Sequence, residues 1–171
     1  MRVLIDACVL VPSLTRRLVL AAGEITPLWS AGILDEWRYA VSKLGPMEAA
    51  EVGTEIALMR AKYMQAEIAV RADQIDAINL PDPDDRHVLA AALAGQAEEL
   101  LTFNIKDFPL RVLAGHGILR RQPDEFLLEA AHADAAPLTK ILEAEEAATC
   151  RSRRALLRGS QLPRLSKFLT V

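Results

Sequence analysis

Residues able to hold a divalent cation occur in four separate blocks of this 171-residue sequence. Asp6 closes the apolar run "RVLID", and Glu36 lies in "SAGILDEWRYAV". Asp82, Asp84 and Asp85 crowd together in "LPDPDDRHVLAAALAG", while Asn104 and Asp107 stand in "LLTFNIKDFP". Carboxylates that converge repel one another and raise each other's pKa. Mg2+ or Mn2+ relieves that repulsion, because both ions favour oxygen ligands and retain water. Convergence of the four blocks therefore predicts a metal site. No serine, cysteine or histidine arrangement offers a competing nucleophile and base. His87, His116 and His132 lack ligand spacing and suit surface or capping roles, and Cys8 and Cys150 form no metal or redox pair.

The elements that must position these blocks follow from hydrophobic periodicity. "RVLID" reads as a buried strand ending at Asp6, and "TPLWS" as a second strand. A helix beginning at Pro12 and Ser13 lies between them and stops at Gly23. Ser30 is a helix N-cap ahead of Ile33, Leu34, Trp37, Val41 and Leu44, a run closed by Gly45-Pro46. A long helical region over Met47 to Glu67 precedes "DAINL", the expected third strand. "EELLTF" is the fourth strand and "GILRR" a candidate fifth. Strands alternating with helices, without hairpin signals, predict right-handed crossovers and a parallel sheet covered on both faces. Ligands of such sheets bind beyond the carboxyl ends of the strands, where all four blocks are expected to fall.

Helical phase separates the crowded aspartates. In a helix starting near Asp84, Asp85 shares a face with Val88, Leu89 and Ala92 and points to the core rim. Asp82 and Asp84 are better read as caps, which favour the positive end of the helix dipole. At Asp85, Asp6 and Glu36 both a structural and a ligand role stand. Asp35 faces outward with Arg38 and Tyr39. Trp29 and Trp37 read as core, and Met47, Met59 and Met64 follow helical phase, packing inward or at a homodimer contact.

Taken in order, the four blocks resemble a PIN domain, more narrowly the VapC-like toxin ribonucleases of bacterial type II toxin–antitoxin pairs. The resemblance covers residues 1–127 and implies a three-layer α/β/α sandwich around a parallel sheet of four to five strands. Residues 128–171 resemble the helical C-terminal extension of some of these toxins. By position, the family's acids fall on Asp6, Glu36 and Asp85, with Asn104 at the fourth acidic position, Asp107 as the acid that follows, and Thr102 supporting. The resemblance implies one or two Mg2+ or Mn2+ ions held by Asp6, Asp85, Asn104 and Asp107. Glu36 orients water, and RNA is cut to leave a 5′-phosphate and a 3′-hydroxyl. Two departures stand out: Asn104 is neutral, and Cys8 occupies a place usually filled by Asn, Ser or Thr. The implied partners are RNA and a cognate antitoxin. The alternatives are a catalytically weak or inactive PIN module that binds RNA or protein, and a phosphotransfer domain using Asp6, although "DACVL" lacks the expected D-x-D pattern.

Composition sets the remaining bounds. Hydrophobic content of 51% with 25% charged residues is that of a globular chain, and no apolar run suffices for a membrane span. The opening "MRVLIDACVLV" lacks the cleavage site of a signal peptide, so the cytoplasm is the expected compartment. A net charge of −3 argues against indiscriminate nucleic-acid adhesion. It conceals an asymmetry: from Ala147 onward there is no acid, whereas Arg151, Arg153, Arg154, Arg158, Arg164 and Lys167 are cationic. Nearer the acidic motifs, Arg16, Arg17, Arg86 and Lys106 are candidate RNA contacts.

Overall fold

The computed structural model describes residues Met1 to Thr170. Five short strands form one sheet: β1 (Arg2–Ile5), β2 (Thr26–Ser30), β3 (Glu67–Ile68), β4 (Glu99–Leu101) and β5 (Leu119–Arg121). All neighbours pair in parallel, in the order β3-β2-β1-β4-β5. Leu4 of the central strand sits between Leu28 and Leu100, and Leu101 between Ile5 and Arg121. Val3, Leu4 and Ile5 are wholly buried, as a strand covered on both faces requires.

Helices α1 (Ala7–Leu10) and α2 (Ser13–Ala21) carry the chain from β1 to β2, and α3 (Ala31–Ser42) and α4 (Pro46–Lys62) from β2 to β3. The return to β4 runs through α5 (Ala72–Asp76), a 3-10 turn (Pro83–Asp85) and α6 (Arg86–Ala94); α7 (Leu110–Gly115) precedes β5. The result is the expected PIN-like α/β/α arrangement. Ser30 caps α3 as its sequence predicts, accepting from the Ile33 N–H at 3.3 Å.

Four helices complete the chain: α8 (Pro123–Ala133), α9 (Ala136–Thr149), α10 (Arg153–Gly159) and α11 (Pro163–Leu169). Helices α8 and α9 pack on α2, and α11 packs on α8. Leu127, Leu138, Leu142, Leu157 and Leu165 join the same buried cluster as the sheet residues. The buried Asp124 of α8 accepts from the Arg164 and Leu165 N–H groups, each at 3.0 Å, and so caps α11 from another helix. The expected division after residue 127 falls inside α8. No helix among the described residues is long and apolar enough to cross a membrane.

Several elements differ from the sequence expectation. The third strand is Glu67–Ile68, and "DAINL" instead covers the end of α5 and a stretch that pairs with no strand. There Ile78 and Leu80 are buried on either side of exposed Asn79, so a period of two arises from packing without any ladder. The long helix stops at Lys62, where Arg60 turns back to grip Glu67 with bonds of 2.5 and 2.7 Å. The first strand ends at Ile5, one residue before Asp6. In the helical extension the chain breaks at Cys150, whose left-handed φ of 54° closes α9 ahead of α10.

Candidate metal centre

Asp6 takes the first position beyond β1, so the sheet's parallel direction sends its side chain to the carboxyl edge. It is 5% exposed, and burial is the main cause of its raised pKa. Its Oδ2 accepts from Thr102 Oγ1 at 2.6 Å and from Cys8 Sγ at 3.1 Å. Thr102, just past β4, in turn accepts from the Asn104 N–H at 2.9 Å, which directs its hydroxyl proton to Asp6. Cys8 accepts from the Phe103 N–H at 3.3 Å. Burial, and then the Asp6 charge, push the Cys8 thiol up to about 12. It stays protonated and supplies the donor that a hydroxyl or amide would otherwise bring to this place.

Asp85 closes the 3-10 turn ahead of α6 and is half-buried. Its pKa is raised from 3.8 to about 6 by burial and then by the charges of Asp6, Asp82, Asp107 and Glu36, in that order. Five carboxylates from four segments thus share one electrostatic environment. The tightest group is Asp82, Asp85 and Asp107, each offering an oxygen within 4.8 Å of the others. Asp6 stands beside this trio. Asn104 Nδ2 donates to Asp85 Oδ2 at 3.2 Å, so a neutral amide bonds where another carboxylate would repel.

Glu36 projects from the second turn of α3 and is held by His87 of α6, whose Nε2 lies 2.8 Å from Oε1. His87 has a raised pKa, caused first by that hydrogen bond, against burial. The ring lies over Gly32: a Cβ there would come within 3.0 Å of His87 Nδ1. Asp84 is exposed and takes no part, whereas Asp82 both caps the turn, accepting from the Asp84 N–H at 2.9 Å, and joins the trio.

All the residues expected at the site therefore reach one edge: Asp6, Glu36, Asp85, Thr102, Asn104 and Asp107. Asp82 and His87 are additions. The sequence favours a capping role for Asp82 and a surface or capping role for His87. A 3-10 turn has three residues per turn, which brings residues 82 and 85 onto one side. Glycine in the first turn of α3 is the trace that His87 leaves in the sequence. Two of the cations expected near RNA are committed elsewhere. Arg16 is buried, donates to the Leu10 carbonyl, pairs with Glu55 at 2.6 Å and covers the Trp37 ring at 4.3 Å. Arg17 pairs with Glu145 at 2.6 Å.

The donor set fits a hard divalent cation: the trio of Asp82, Asp85 and Asp107 offers only oxygen, and repulsion among the carboxylates already shows in the raised Asp85 pKa. Comparison with known proteins agrees. The PIN domain family pattern matches residues 2–106, more than half of the chain. A segment of 45 residues is 49% identical to a Mycobacterium tuberculosis protein named "Putative ribonuclease VapC50", covering 26% of this chain and 27% of that protein. The chain thus aligns with little more than a quarter of that relative's length. No solved structure matches. With the parallel sheet, its acidic carboxyl edge and the family match in agreement, the chain belongs to the PIN-domain family.

Proposed function

We propose that the protein is a metal-dependent endoribonuclease that hydrolyses RNA phosphodiester bonds and acts as the VapC-like toxin of a toxin–antitoxin pair. The observation that carries this reading is the meeting of Asp82, Asp85 and Asp107 within 4.8 Å, beside Asp6 and Glu36. Asp6, Asp85, Asn104 and Asp107 would hold one or two Mg2+ or Mn2+ ions, with Asp82 as a further ligand. When bound, such an ion supplies Lewis acidity to the phosphodiester and acidifies water. Thr102 and Cys8 fix the Asp6 carboxylate, both donating to Oδ2. Glu36, held by His87, orients the attacking water, and in-line displacement leaves a 5′-phosphate and a 3′-hydroxyl, the water's proton passing to solvent and the departing 3′ oxygen taking one from solvent.

The likeness to a protein named as a ribonuclease supports RNA as substrate and an antitoxin as partner. On this reading residues 1–127 carry the nuclease chemistry, the helical extension that follows completes their core, and the protein works in the cytoplasm. A homodimer would use apolar residues exposed on α4, such as Met47 and Leu58.

The test is cleavage of a panel of single-stranded RNAs with Mn2+, with EDTA, and with an Asp6→Asn variant. Cutting that needs metal and disappears in the variant is the expected result. Binding without cutting would instead mark a non-catalytic PIN module. Phosphate trapped on Asp6 would mark a phosphotransfer domain.

A further inference from the structure

Within the acid-free C-terminal segment, α10 and the start of α11 lie at the same end of the molecule as the carboxylates, whereas the end of α11 packs Phe168 against His132 at the far end of α8. The parallel strands all run toward the acidic edge, so α8, starting two residues after β5, begins there and runs away from it. A two-residue link reverses the chain into α9, which returns alongside α2; Arg17 in the middle of α2 meets Glu145 late in α9. Helix α2 itself starts just beyond Asp6 and α1. The end of α9, and with it the start of α10, therefore stands beside the corner that follows Asp6. Helix α11 starts at that edge too, since Asp124, in the first turn of α8, holds its N–H groups at 3.0 Å.

Arg151, Arg154, Arg158 and Arg164 are all exposed in this region, and none has an ion-pair partner among the described residues. Arg153 differs, being paired with Glu146 at 3.0 Å. Elsewhere near the site, Arg16 and Arg17 are spent on Glu55 and Glu145. An acidic pit repels a polyanion, so a strand held there needs cations alongside.

We infer that the exposed arginines of α10 and the start of α11 form a phosphate-binding track for single-stranded RNA, holding the strand to one side of the scissile bond. This rests on the nuclease reading for the strand's destination, but binding by the track is measurable without cleavage. Charge favours a polyanion, and adjacency to the acidic edge favours RNA over an acidic protein segment.

The experiment compares full-length Asp6→Asn protein with the same protein carrying Arg154→Gln and Arg158→Gln. It follows fluorescence anisotropy of a labelled 12-nucleotide RNA across a salt series. Both arginines are exposed, and thermal melts check that the fold is unchanged. Loss of two phosphate contacts lowers the salt slope by about 1.4 and weakens binding about 25-fold at 0.1 M salt. The loss should be alike for unrelated RNA sequences. With Asp6 intact, the double variant should raise KM for RNA and leave kcat unchanged. An unchanged Kd and salt slope would overturn the track, even if the protein cleaves RNA. Loss of affinity confined to an acidic polypeptide such as polyglutamate would overturn it also. If the protein binds RNA through these arginines but never cuts, the track stands and the nuclease reading falls.

Discussion

Replacing Asp85 by Asn should stabilise the protein when no divalent cation is present. The folded-state carboxyl titrates near 6 against an ordinary 3.8, because burial and four neighbouring carboxylates disfavour its charge. A raised acid pKa means that protonation favours folding. The stabilising contribution is complete below about pH 3.8 and is lost as the pH rises through about 6. Converted directly, the shift is worth about 3 kcal/mol. Asp85 is only half-buried, and screening by solvent reduces this to about 1 kcal/mol. Asn at this position can still accept the bond from Asn104. For a chain of this size, 1 kcal/mol moves Tm by about 2–4 °C. Differential scanning fluorimetry in EDTA should therefore show Asp85→Asn melting about 2–4 °C above the wild type at pH 8, with the gap closing by pH 4. Millimolar Mn2+ should then raise the wild type and not the variant, since an ion bound only by the folded state stabilises it. A variant that melts lower than wild type in EDTA at pH 8 would show that Asp85 is a structural cap, and the electrostatic argument for the site would fail.

Thr102→Val removes the donor 2.6 Å from Asp6 Oδ2 and leaves a buried carboxylate one bond short. It should cost about 1–3 kcal/mol in urea denaturation, with most of the loss restored by Thr102→Ser. Gly32→Ala places a methyl group 3.0 Å from His87 Nδ1 and should push the ring off Glu36. In metal-free protein, two-dimensional NMR of the imidazole should then show the spectrum that Glu36→Gln also produces; an unaltered imidazole signal would refute the seat.

Much of this architecture was legible because strongly apolar strands and capped helices announce themselves locally. "RVLI", "TPLWS" and the Ser30 cap are cases in which side-chain chemistry and backbone state agree. The two-residue β3 was not legible: Glu67 and Ile68 carry no alternation to detect, and Ile78 and Leu80 imitate a strand by packing alone. The α9–α10 break was hidden because Cys150, not glycine, takes the left-handed conformation. That Asp6, Glu36, Asp85, Asn104 and Asp107 gather at one edge was legible from the expectation that strand ends converge. The route was partly wrong for Asp85, which arrives after α5 and a long connection. The place of Asp82 in the trio was not legible because α-helical phase was applied to a 3-10 turn, and that of His87 because its partner is 51 positions away in the sequence.

The cap that Asp124 places on α11 makes the C-terminal helices hard to detach. A fragment ending at residue 127 would keep this carboxylate but lose both N–H groups it serves. It would also bare the surfaces that Leu138, Leu142 and Leu165 cover. Expressed alone, such a fragment should enter inclusion bodies or be degraded, and attempts to minimise this protein to its first 127 residues should fail for lack of a lid on its own core.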